Sequence, residues 1–95
     1  MINPDLKNAK ILIVDDMEAN VDVLEGFLEM QGYTNIKTTT DPRLAVSISK
    51  SFAPDLVLLD LMMPYLSGFE VMEQLKQLNA VKNSYLPILV LTADI

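Results

Sequence analysis

Three short apolar runs in this 95-residue chain each end on a side chain that could do chemistry. Ile11-Leu12-Ile13-Val14 leads into Asp15 and Asp16, Leu56-Val57-Leu58-Leu59 into Asp60, and Ile88-Leu89-Val90-Leu91 into Thr92. Carboxylates brought to one edge repel one another unless a cation compensates. A hard divalent ion with oxygen ligands is the natural remedy, and magnesium takes one or two carboxylates, keeps several waters and completes its shell with phosphate oxygen. A carboxylate beside such an ion can attack phosphorus and form an aspartyl phosphate. The Thr92 hydroxyl could then donate to a phosphoryl oxygen, and small Ala93 would leave that oxygen approachable. Taken singly, each residue has a plainer reading. Asp16 could be a helix cap, Asp60 a solvated loop residue, Thr92 an ordinary strand threonine, and Met62-Met63 apolar filler, although a backbone carbonyl just after Asp60 could reach a metal. Their recurrence at successive strand ends carries the functional reading.

The elements that must position these residues follow from the pattern between them. Residues 10–14, 56–59 and 88–91 are continuously apolar rather than alternating, as strands covered on both faces are. Residues 35–38 are more polar and read as a strand at a sheet edge. From about 18 to 31, Val21, Leu24, Phe27 and Leu28 recur at helical spacing, and Gly32 supplies a C-terminal stop. Asp41-Pro42 reads as an N-cap with proline in the first helical position, opening a helix of about ten residues that Ala53-Pro54 ends. Ser67-Gly68-Phe69-Glu70 has capping-box spacing and starts a third helix through about Asn79. The order β-α-β-α-β-α-β implies an α/β fold with a mostly parallel, doubly wound sheet and helices on both faces. In such sheets ligands sit outside the carboxyl ends of the strands, which is where Asp15, Asp16, Asp60 and Thr92 fall.

Composition narrows the function. The chain is 51% hydrophobic and 21% charged, without cysteine or histidine, which excludes disulfide scaffolds, thiol catalysis, the usual zinc sites and histidine-dependent nucleophiles. Seven basic residues against thirteen acidic ones leave a net charge of −6, so direct binding to nucleic acid is not expected. Apolar runs far shorter than the ~20 residues of a membrane span, and an N-terminus without signal-peptide character, make cytoplasmic the expected location.

The motifs together resemble one family. Ile11-Leu12-Ile13-Val14-Asp15-Asp16, Asp55-Leu56-Val57-Leu58-Leu59-Asp60-Leu61-Met62-Met63-Pro64, Gly68-Phe69-Glu70 and Pro87-Ile88-Leu89-Val90-Leu91-Thr92-Ala93 look like the receiver domain of two-component response regulators. The resemblance runs from about Lys10 to the last residue, and residues 1–95 read as a single receiver domain with residues 1–8 as a leader. It implies a flavodoxin-like sheet with strand order 2-1-3-4 over the elements present. Asp60 then aligns with the phosphoacceptor, which takes its phosphoryl group from a phosphohistidine on a histidine kinase or phosphotransfer protein. Asp15 and Asp16 align with the magnesium-holding pair, Met62 with the position that lends a backbone carbonyl, and Thr92 with the switch threonine. Pro64 and Gly68 shape the loop, Ala93 supports the switch position, and Ser67 caps the helix behind it. Such a domain is a regulatory phosphoprotein rather than an enzyme, with at most self-phosphorylation and dephosphorylation. The stretch Asp15 to Asn20, Asp-Asp-x-x-x-Asn, is also similar to receivers attached to cyclic-dinucleotide signalling enzymes.

The resemblance also has a boundary. Receivers of the family have five strands and five helices, and this sequence stops just past its fourth strand, so it reads as truncated before α4, β5 and α5. The family's lysine after strand five has no counterpart among the seven basic residues. Losing that cation should weaken phosphate capture, and an exposed fourth-strand edge invites self-association. Two other readings follow, a receiver-like interaction module that is not phosphorylated and an aspartyl-nucleophile phosphohydrolase. The latter expects Asp-x-Asp after strand one, whereas Asp15 and Asp16 are adjacent.

Overall fold

A computed structural model of the chain describes residues 7–63, 66–81 and 85–91. The apolar runs become β1 (Ile11–Val14), β3 (Leu56–Asp60) and β4 (Ile88–Leu91), and the polar candidate becomes β2 (Ile36–Thr39). Between them lie α1 (Glu18–Met30), α2 (Ala45–Phe52) and α3 (Gly68–Val81). All strand pairs are parallel and the order is β2-β1-β3-β4, the arrangement that the resemblance implies. β2 is an edge strand, as its lysine and threonines suggest.

The strands alternate their side chains between two apolar layers. Leu12, Val14, Val57 and Leu59 point to one face, where Ala45 of α2 and Val71 and Leu75 of α3 close over them. Ile11, Ile13 and Leu58 point to the other, against Val21 of α1, with Leu24 and Leu28 packed alongside. Burying a side chain of this size contributes about 1.5–3 kcal/mol, and β1 is buried along its whole length. The strand ends that carry Asp15 and Asp60 are thus anchored by the best-packed part of the molecule.

Three details differ from the sequence reading. Phe27 is 59% exposed rather than part of the core stripe. At 100° per residue it lies about 60° beyond Leu24, outside the arc that Val21, Leu24 and Leu28 present to the sheet. The helix expected from Pro42 begins with a 3-10 turn, Pro42–Leu44, before α2. There the Asp41 carboxylate accepts the Arg43 backbone N–H at 2.9 Å and draws the first turn tight. β4 is covered less than its continuous apolar run suggests and forms instead the exposed fourth-strand edge that the sequence also implies: Leu89 is 55% exposed, and no described helix lies over it. The stops behave as expected. Gly32 takes φ 97 after α1, and Ala53 ends α2 before Pro54 as a left-handed C-cap with φ 52, its N–H donating to the Ser49 carbonyl at 2.9 Å.

Asp41 gives the fold a pH-dependent element. The Arg43 guanidinium hydrogen-bonds its carboxylate, the Arg43 backbone N–H adds a second bond, and together they hold its pKa below the ordinary carboxylate value of 3.8. A depressed pKa contributes stability that is complete above the unfolded value and lost as pH falls through the folded one. Thermal unfolding of Arg43→Ala should therefore lie below wild type near neutrality, and the gap should narrow as pH drops below about 4.

Candidate metal centre

Register brings the acids together. Val14 pairs with Leu59 across the β1–β3 contact, so the residues that follow them, Asp15 and Asp60, leave neighbouring strands side by side. The chain passes from β1 to β2 on one side of the sheet and from β2 to β3 on the other, so this contact is the switch point in strand order. Crevices at such points are where open α/β sheets hold ligands. Asp15 is 3% exposed and Asp60 7%, while Asp16 is half-buried at the rim. One carboxylate oxygen from each of the three lies within 4.8 Å of the others.

Neutral donors hold the two buried carboxylates. The Met17 N–H reaches Asp15 Oδ1 at 3.0 Å, and the Asn20 side-chain amide reaches Asp15 Oδ2 at 3.3 Å. The Met62 N–H reaches Asp60 Oδ1 at 3.1 Å. These bonds orient the acids but do not cancel their charge. A cluster of hard, anionic oxygens of this kind suits a hard divalent cation, and magnesium fits the donor set. Met62 itself is 68% exposed, with its backbone turned back onto Asp60.

The wall behind Asp60 is built by Gly68, the first residue of α3. Its N–H donates to the Leu61 carbonyl at 3.1 Å, and Ser67 Oγ accepts the Glu70 N–H at 3.3 Å. The backbone of Asp60 and Leu61 comes so close to Gly68 that a Cβ there would stand 2.3 Å from the Asp60 carbonyl oxygen. No other residue type fits that approach. Thr92, Ala93 and Pro64 lie outside the described residues. Asn20 was visible in the sequence only as part of Asp-Asp-x-x-x-Asn. Its contact with Asp15 depends on α1 beginning immediately after the acidic pair, which spacing alone does not specify.

Fold and site together define a doubly wound α/β domain with an acidic crevice at its switch point. The family model for the response regulator receiver domain matches residues 11–95, and the chain belongs to that family, the receiver domains of two-component response regulators. The sequence is 43% identical over 86 residues to the alkaline phosphatase synthesis transcriptional regulatory protein PhoP of Bacillus subtilis, covering 90% of this chain and 34% of that protein. The chain thus spans about a third of that relative's length. Among solved structures, the N-terminal domain of a response regulator receiver protein from Methanoculleus marisnigri JR1 superposes with a TM-score of 0.80 at 37% identity, over 90% of this chain and 68% of that one. Chemotaxis protein CheY4 of Vibrio cholerae gives a TM-score of 0.82 at 30% identity, over 93% and 71% respectively.

Proposed function

We propose that Asp60 is a phosphoacceptor, taking a phosphoryl group from the phosphohistidine of a histidine kinase or phosphotransfer protein and so switching a downstream output. The observation that carries this reading is the convergence of Asp15, Asp16 and Asp60 at the β1–β3 switch point. Asp15, Asp16 and Asp60, with the Met62 backbone carbonyl, would hold a magnesium ion. Bound there, the ion offsets the carboxylate charge and screens the phosphoryl group during transfer.

The chain's own residues set up the in-line attack. The Met62 N–H holds Asp60 Oδ1, which leaves Oδ2 as the oxygen to bond phosphorus while the donor's nitrogen–phosphorus bond breaks and the imidazole departs. The Gly68 contact fixes the backbone on which Asp60 stands, so the nucleophile is positioned before the donor arrives. Thr92 would donate its hydroxyl to the transferred group, beside small Ala93, and Pro64 would shape the loop between β3 and α3. The new aspartyl phosphate adds about −1.5 to −2 charges and three acceptor oxygens, enough to draw in a hydroxyl and reorder a loop. The role is regulatory, and a cytoplasmic location follows from the proposed partners. No helix among the described residues is long and apolar enough to cross a membrane.

Incubation with acetyl phosphate, with and without magnesium, tests the reading by intact mass. A phosphoryl adduct is expected that requires magnesium and is absent from Asp60→Ala. An adduct of equal yield in Asp60→Ala would overturn it.

A further inference from the structure

We propose that Asn20 is a positioning residue for the metal centre, acting through Asp15; this rests on the cation-binding reading given above. Asparagine is one of the weaker helix formers, yet it stands in the first turn of α1. Met17, which precedes the helix, makes no side-chain cap there, so Asn20 has no capping partner to serve. Its amide turns instead to Asp15 Oδ2 at 3.3 Å. The next residue, Val21, is 2% exposed and packs against the core of the sheet, which fixes the rotation of α1 and holds position 20 toward the acidic crevice.

With the Met17 N–H on Oδ1, the Asn20 bond completes a clamp in which each oxygen of one buried carboxylate accepts a neutral donor. The clamp has two consequences. It fixes the plane of the Asp15 carboxylate before any cation arrives, so the ordering of that side chain does not oppose binding. It also leaves a free lone pair on each oxygen, because a carboxylate offers about four acceptor sites. Partners that orient metal ligands in this way typically change metal affinity by 10–100-fold when removed. A single, rather long bond to a half-buried amide belongs at the lower end of that range.

Calorimetric titration of metal-free protein with magnesium chloride tests the role, with thermal unfolding in EDTA showing that each variant is folded. Alanine is the better helix former and position 20 is half-buried, so Asn20→Ala should fold. Its magnesium affinity should be about tenfold weaker than wild type. Asn20→Gln, which carries the same donor on a longer arm, should recover most of the loss. Unchanged affinity in Asn20→Ala, or an equal loss in both variants, would overturn the positioning role while leaving the metal centre intact. A wild-type chain that binds no magnesium would overturn the metal centre and this inference with it.

Discussion

Gly68→Ala should destabilise the domain by about 3 kcal/mol and cripple the acidic site at the same time. The added Cβ would stand 2.3 Å from the Asp60 carbonyl oxygen and 2.4 Å from Leu61 Cα. Both are backbone atoms, so no side chain can swing aside, and either α3 must draw back or the end of β3 must shift. Drawing α3 back opens the packing of Val71 and Leu75 against the sheet. Shifting β3 moves Asp60 away from Asp15 and Asp16. Thermal unfolding reads the first cost and magnesium titration the second. A variant with wild-type melting temperature and wild-type magnesium affinity would show that the close approach is not needed.

Leu59→Ala should have a comparable effect on stability by a different route. Leu59 is fully buried one residue before Asp60, in the layer shared with Leu12, Val14, Val57, Ala45, Val71 and Leu75. Leucine-to-alanine changes at such sites cost about 2–5 kcal/mol, the range reflecting how far the cavity collapses. Domains of this size are stable by only about 0.05–0.15 kcal/mol per residue, so the variant should lose a large share of its stability and melt well over 8 °C lower. Leu89→Ala makes the contrast. The side chain is 55% exposed on β4, and its loss should stay within about 0.5 kcal/mol. Similar losses at the two positions would contradict the layered core described here.

Much of this architecture was legible because the strong signals were local. Continuous apolar runs marked β1 and β3, glycine or an alanine–proline pair marked helix ends, and serine three residues before Glu70 marked the start of α3. The acidic site was legible for the same reason, since its three acids directly end or follow strands that pair in parallel, and register places such residues together without further instruction. What local pattern could not carry was context. An apolar run reads the same whether its strand is central or at an edge, so the run at 88–91 alone suggests a covered strand, and only its place as the fourth strand points to the bare edge on which Leu89 stands. Phe27 fell within helical spacing loosely enough to pass for core, and only the rotation set by Val21 shows it outside. The proline at the first helical position announces a helix, but nothing in the local pattern distinguishes a 3-10 first turn from an α-helical one. The bond between Asn20 and Asp15 depends on the junction between strand and helix, a tertiary fact.

The central claim concerns which atom receives the phosphoryl group, and chemical trapping addresses it most directly. After acetyl phosphate and magnesium, borohydride reduces an aspartyl phosphate to the corresponding alcohol and leaves free carboxylates untouched. Peptide mapping then locates the reduced residue. The account predicts a single modified position, Asp60, with yield dependent on magnesium and lowered by Asp15→Ala or Asp16→Ala. Reduction at another carboxylate, or an adduct at Asp60 indifferent to magnesium and to both neighbouring acids, would contradict it.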